Sequence, residues 1–167
     1  MTDYLKKILS LGQAIEKRSL LAAEGRRLVF TNGCFDLLHP GHLRYLAQAR
    51  ALGDFLMVGL NSDASVGRLK GPARPVRDQG ERSELLAALV MVDGLTIFDE
   101  DTPLGLITAL RPDFLVKGGD WAVDDIVGAR EVRALGGQVM SLALTPGFSS
   151  SSLIARIARA YGGGPGR

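Results

Sequence analysis

The sequence predicts a doubly wound α/β domain built on a parallel five-stranded sheet. Three observations carry this expectation. The short apolar runs in RLVFTNG, DFLMVGLN, GLTIF, DFLVKG and QVMSLAL are continuous rather than alternating, as in strands buried on both faces. Segments with helical apolar spacing fall between those runs, which is the β-α-β order of a parallel sheet. The stretches rich in Gly, Asn, Asp and Ser that could carry chemistry (TNGCFD, NSD, KGGDW, TPGFSSSS) each follow a strand. In doubly wound sheets, ligands bind beyond the carboxyl ends of the strands.

Taken in order, residues 3–24 have helical spacing interrupted by Gly12 and stop at Gly25, giving one or two helices. Residues 27–33 are the first strand. The stretch 39–53 starts a helix with Pro40 in its first turn and stops at Gly53. Residues 54–63 are the second strand, and 66–78 (VGRLKGPARPVRD) read as a basic loop. The segment 80–92 is helical, with Leu85, Leu86, Leu89 and Val90 on one face. After the strand 94–98, a helix starts with Thr102 as N-cap and Pro103 at its first position. The fourth strand lies within 111–120. A helix is expected over 123–137, closed by Gly136 and Gly137, then a strand at 138–144 and a last helix at 149–161. Domain boundaries follow: an N-terminal helical extension over 1–26, the α/β domain over 27–160, and a frayed tail over 161–167.

Composition limits the function classes. The chain has 167 residues, 46% hydrophobic and 23% charged, which excludes a disordered chain, a coiled coil and a collagen-like repeat. A net charge of +2 argues for neither nucleic acid nor an anionic membrane surface as a partner. No stretch approaches the ~18 apolar residues of a membrane span, and Asp3, Lys6 and Lys7 break up any signal-peptide core. The single cysteine, Cys34, cannot form an internal disulfide, which fits a reducing cytoplasm. With 21 glycines, the chain is rich in tight turns and close backbone approaches to a ligand.

The strongest chemical signal is Thr31-Asn32-Gly33-Cys34-Phe35-Asp36-Leu37-Leu38-His39-Pro40-Gly41-His42. It runs from a strand end into a helix start, where free N–H groups and the helix dipole attract anions. Gly33 and Gly41 admit a phosphate close to the backbone. His39 and His42, the only two histidines, share a face at a spacing of three and could donate to phosphate oxygens, charged near their reference pKa of about 6.5. An isolated HxxH is as readily a pair of surface histidines. A zinc site would lack ligands, since no further histidine exists and the lone cysteine lies five residues before His39. Ser149, Ser150 and Ser151 open the last helix, where hydroxyls cap the chain and can meet phosphate, although a linker would have the same composition. Lys70, in a basic Gly/Pro loop, could act as a lid or be a solvated surface residue. Arg82 opposes the helix dipole where it stands, which suggests use, although a surface arginine would read the same. Asn61 and Asp63 could bind sugar hydroxyls or simply cap a helix.

These motifs resemble the HxGH nucleotidyltransferase superfamily of cytidylyltransferases and related adenylyltransferases. The ordered run TNGCFDLLHPGH, GLNSDASVGRLKGPARPV, ER before a helix, VDGLTIFDEDTP, PDFLVKGGDW and GFSSSSLI resembles in particular the free-standing D-glycero-β-D-manno-heptose 1-phosphate adenylyltransferases of lipopolysaccharide synthesis. It covers roughly residues 27–157. The resemblance implies a Rossmann-like nucleotidyltransferase fold, ATP and heptose 1-phosphate as substrates, Mg²⁺ with few protein ligands, and a homodimer. It implies that Cys34, Phe35, His39, Gly41 and His42 hold the nucleotide phosphates, that Asp120 and Trp121 lie beside the nucleoside, and that Ser149, Ser150 and Ser151 meet the triphosphate. His39, His42 and Lys70 would be catalytic. Asn61, Asp63, Arg82 and Lys117 would serve the sugar phosphate, and Cys34 needs no nucleophilic role. One departure stands out: relatives using CTP carry an arginine shortly before the hydroxyl run, whereas residues 142–146 hold no basic residue. Lys70, Lys117 or an arginine elsewhere must supply that charge.

Three other functions fit parts of the pattern. A glycerol-3-phosphate cytidylyltransferase or an FAD synthetase-like enzyme would share the fold. A non-catalytic nucleotide-binding regulator would not need both histidines, Lys70 and the hydroxyl run. A Rossmann dehydrogenase would need G-x-G-x-x-G after the first strand, which TNGCFD does not supply.

Overall fold

The computed structural model describes residues 3–161; the glycine-rich remainder of the expected tail lies outside the described residues. Five parallel strands, β1 (Leu28–Gly33), β2 (Phe55–Asn61), β3 (Gly94–Phe98), β4 (Phe114–Gly118) and β5 (Gln138–Leu142), form one sheet in the order β3-β2-β1-β4-β5. Successive residues of each strand point to opposite faces, so each strand feeds two cores. Leu28, Phe30 and Met57 face one side, with Ala14, Leu21, Ile107, Leu110 and Val132. Val29, Leu56 and Val58 face the other, with Tyr45, Leu46 and Leu86. This double burial is why the strands read as unbroken apolar runs.

The first core is covered by α1 (Leu11–Ala23), α5 (Leu104–Leu110) and α6 (Ala129–Ala134), and the second by α2 (Pro40–Arg50) and α4 (Gln79–Ala87). Two further helices, α3 (Asp63–Lys70) and α7 (Ser150–Tyr161), follow β2 and β5. The N-terminal segment is built into the fold: Ile8 bridges to Leu95, and Ala14 and Leu21 are fully buried.

Four local expectations are corrected. Gly12 does not interrupt α1 but lies in its first turn; the break comes earlier, where Ser10 forms a capping box with Gln13. Residues 66–70, expected as the start of a loop, belong to the helix Asp63–Lys70. Ser62 caps it by accepting from the Ser65 amide at 3.0 Å, and the helix runs on to Lys70. Thr102 caps nothing, because α5 begins one residue later, after Pro103. The preceding Asp99–Asp101 run is held to α3 by Ser62, Ser65 and Arg68, so the chain turns helical only past that tether. The long helix expected over 123–137 is broken. A 3-10 turn at Val123–Asp125 gives way to extended backbone at Ile126, and α6 starts only after Gly128. Ile126 is 6% exposed, drawn into the core. Gly128 has φ +86°, and the Ile107 side chain would lie 2.9 Å from a Cβ placed there, so both conformation and space require glycine.

Crossing from β1 to β2 on one side and to β4 on the other makes the carboxyl end of β1 the topological switch point.

Candidate active site

The chain leaves β1 through a strained turn. Phe35 has φ +45°, a left-handed conformation that costs about 1 kcal/mol or more for a bulky residue. Its ring is buried, 5.3 Å from the His42 ring. The turn then enters α2, where Pro40 fills the first position and needs no N–H partner. His39 is the N-cap: its Nδ1 accepts from the His42 amide at 3.4 Å. That acceptance puts the ring proton on Nε2, which remains a donor at the cavity.

The two imidazoles stack with centroids 3.7 Å apart and planes 15° from parallel. Burial, and then the neighbouring His39, push the His42 pKa down to about 4, and burial lowers that of His39. Both shifts favour the neutral imidazole, so the charge these histidines could carry near their reference pKa is disfavoured in the free site. The His42 Nδ1 is buried without a hydrogen-bond partner among the described residues.

A cavity of about 670 Å³ opens over this turn. Of the residues singled out in the sequence, Cys34, Phe35, His39, Gly41, His42, Asn61, Lys70, Lys117, Trp121, Ser149, Ser150 and Ser151 line it. Lys117, at the end of β4, donates to Asn32 Oδ1 at 3.2 Å. Burial first, and the nearby charge of Lys70 after it, lower its pKa. Lys70 is exposed at the last residue of α3. Burial raises the Cys34 pKa, so the thiol stays protonated. Asn61 lines the cavity, but its amide donates to Ser65 Oγ at 3.0 Å. At the start of α7, Ser149 Oγ accepts from the Ser152 amide at 3.0 Å and caps the helix, and Ser150 Oγ donates to the Leu37 carbonyl at 3.2 Å. That second bond ties the start of α7 to the turn before α2.

Three expected site residues lie outside the cavity lining. Asp120 is exposed beside it. Asp63 accepts from Arg82 at 2.7 Å. Arg82 is fully buried, and its guanidinium donates to the carbonyls of Arg77, Cys34 and Asn61 and to the Asp63 carboxylate. Fully buried and with four hydrogen bonds made inside the protein, Arg82 holds the turn rather than facing the cavity. Its expected substrate contact is corrected on that ground.

Sequence reasoning assigned no role to Asp36 and Arg74, which form an ion pair at the cavity. Asp36 is 2% exposed and also accepts the Val76 and Arg77 amides at 2.7 and 3.1 Å. Burial works against its carboxylate, but the Arg77 amide, the Arg74 guanidinium and the Val76 amide outweigh it, and the pKa lies below the ordinary value. The usable signal was the aspartate inside TNGCFD. Its partner lies 38 residues away, and no spacing rule reaches that far.

A parallel sheet whose switch point opens into a cradle of two helix N-termini is the architecture of a nucleotidyltransferase-type α/β domain. The chain belongs to the cytidylyltransferase-like family, whose model matches residues 30–156. It is 55% identical to the bifunctional protein HldE of Geobacter sulfurreducens over 84% of this chain and 29% of that protein. It is 59% identical to the bifunctional protein HldE of Rhodopseudomonas palustris over 80% of this chain and 27% of that one. The chain thus spans less than a third of the length of these relatives. Among solved structures, a lipopolysaccharide core biosynthesis protein from Thermoplasma volcanium superposes with a TM-score of 0.60 at 30% identity, covering 72% of this chain and 98% of that one. Pantoate-β-alanine ligase from Francisella tularensis shares the fold, with a TM-score of 0.59 at 14% identity. The family implies a nucleotide substrate. No helix among the described residues is long and apolar enough to cross a membrane.

Proposed function

We propose that the chain transfers AMP from ATP to D-glycero-β-D-manno-heptose 1-phosphate, giving ADP-heptose and pyrophosphate. The observation that carries this reading is the convergence of His39, Lys70, Lys117 and Ser149–Ser151, from four separate segments, on one cavity at the switch point. The choice of sugar rests on the ordered motifs, supported by the likeness to HldE and to the lipopolysaccharide core biosynthesis protein.

In the reaction a phosphate oxygen of the sugar 1-phosphate attacks the α-phosphorus of ATP. The bond from that phosphorus to the bridging oxygen breaks, and pyrophosphate leaves in line with the attack. A phosphate dianion is already a nucleophile, so positioning and charge neutralisation carry the rate. His39 Nε2–H donates to the α- or β-phosphate. His42, neutral when free, gains a proton as the polyanion enters, and both rings then stabilise charge on the departing pyrophosphate. Lys70 closes over the phosphates from the end of α3, and Lys117 supplies charge from the floor. The start of α7 holds the far end of the triphosphate.

Among the described residues, no group of three or more His, Cys, Asp or Glu side chains could hold a metal ion. Asp36, inside the cavity, is fully occupied by Arg74 and two amides. On this reading Mg²⁺ would enter with the nucleotide, as MgATP. The reading sets the reaction in the cytoplasm, where ATP is available, and the resemblance implies a homodimer, which sedimentation would measure.

The test is pyrophosphate release with ATP or CTP against heptose 1-phosphate or glycerol 3-phosphate. The expected result is turnover only with ATP and the heptose, with His42→Ala about 10²-fold slower and folded. Preference for CTP and glycerol 3-phosphate would replace the substrates and leave the in-line chemistry. Nucleotide binding without pyrophosphate release from any pair would make the chain a regulator.

A further inference from the structure

The segment between α3 and α4, residues 71–78, is fastened to the floor of the site from two buried side chains. Asp36 takes the Val76 and Arg77 amides on one oxygen and the Arg74 Nε on the other. Arg82 donates from its Nε to the Arg77 carbonyl at 3.1 Å. The result is a strap rather than a free loop, and it presents Arg74 to the cavity. The Arg74 side chain is 16% exposed and is held through Nε alone. Neither terminal nitrogen of its guanidinium has a hydrogen-bond partner among the described residues.

An arginine gripped at Nε and open at both terminal nitrogens is a preorganised fork. Its planar pair of donors matches two oxygens of one phosphate, and little side-chain entropy is left to lose on binding. Two anions must enter the cavity together, the triphosphate and the phosphate of the acceptor. The α7 wall and the α2 N-terminus serve the first. Arg74 lines the same cavity from the strap, as do Asn61 at the end of β2 and Asp101 just beyond β3. Resting on the nucleotidyl-transfer reading above, we infer that Arg74 binds the phosphate monoester of the acceptor substrate and that Asp36 is its positioning residue. The fork grips two non-attacking oxygens and leaves the third free to attack the α-phosphorus. It also offsets the repulsion between the acceptor dianion and the triphosphate.

The experiment uses the full chain, saturated with α,β-methylene-ATP and Mg²⁺ so that the nucleotide subsite is filled, and titrated calorimetrically with inorganic phosphate. Arg74→Gln is expected to weaken phosphate at least tenfold while the Kd of the nucleotide analogue stays within twofold. Arg74→Lys, which keeps the charge and the fold but loses the fork, should weaken it several-fold, and Asp36→Asn should do the same through Arg74. In turnover, the KM for heptose 1-phosphate should rise in all three variants while the KM for ATP holds. Equal weakening of nucleotide and phosphate would reduce the strap to a structural role and overturn the assignment. Phosphate binding indifferent to Arg74, or absent from the native protein, would also overturn it. Arg74-dependent phosphate binding in a protein that does not turn over the heptose would leave Arg74 its role and remove the substrate reading instead.

Discussion

His39 caps the helix that carries His42, and the two imidazoles lie face to face 3.7 Å apart. Burial lowers both pKa values, and the neighbouring His39 adds to the shift of His42, which reaches about 4. On the proposed reading, an incoming polyanion supplies the negative charge that favours protonation there.

This arrangement sets a pH dependence of stability. The folded-state pKa of His42 is depressed below the unfolded value of about 6.5. Between those values the unfolded chain binds more protons, so stability must fall as pH drops from about 6.5 toward 4 and is complete above that window. Allowing for partial exposure, the loss is about 1–2 kcal/mol. Urea unfolding at pH 7, 6, 5 and 4.5 should show the decline, and His42→Gln should flatten it. An equal decline in that variant would assign the effect to other groups.

Arg82 carries the second prediction. Its removal leaves the carbonyls of Cys34 and Asn61 buried without their donor and unpins the phosphate turn. Arg82→Met should cost about 3 kcal/mol in urea unfolding, in the range for breaking a buried charge network. Arg82→Lys should recover less than half, because a single ammonium cannot reach acceptors spread over Arg77, Cys34, Asn61 and Asp63. A loss below 1 kcal/mol in the methionine variant would mean that the turn holds itself.

The strands were legible in the sequence because burial on both faces forces unbroken apolar runs such as Phe55–Asn61. The strand-end position of TNGCFD and the hydroxyls of Ser149–Ser151 followed from the same logic. What escaped was built from distant partners. Arg82 looked like an unplaced charge because its acceptors are backbone carbonyls at Cys34 and Asn61, 48 and 21 residues away. Helix α3 was hidden by Gly67, Gly71 and Pro72, although Ser62 is a readable N-cap residue. Arg74 lay in the basic segment that composition could describe only as charged.

Lys70 is exposed at the end of α3, where its charge also favours the helix carboxyl terminus. Lys70→Gln should therefore shift the Tm by no more than about 2 °C, a few tenths of a kcal/mol. Turnover should drop at least about tenfold, since the proposed adenylyl transfer would lose a positive charge beside the phosphates. Arginine at the position should restore part of the rate and glutamine none. Native turnover in Lys70→Gln would remove the residue from the reaction.

Gly41 separates stability from catalysis in one substitution. It is the second residue of α2, where alanine is the better helix former by up to about 1 kcal/mol. A Cβ at Gly41, however, would stand 3.1 Å from His39 Nδ1, 3.2 Å from His39 Cε1 and 3.1 Å from Phe148 Cβ. These contacts are tight but can be relieved if the His39 ring and the approach to α7 each give by a few tenths of an ångström. The gain in helix propensity offsets that strain, so Gly41→Ala should unfold within about 1 kcal/mol of the native protein. The relief comes from His39, which meets the phosphate in the proposed reaction. Displacing a donor that stabilises the transition state should slow turnover by about 10²-fold and weaken nucleotide binding less. Steady-state kinetics beside urea unfolding reads both quantities from one preparation. A stable Gly41→Ala with native turnover would show that neither the position of His39 nor the contact between α2 and Phe148 limits the reaction.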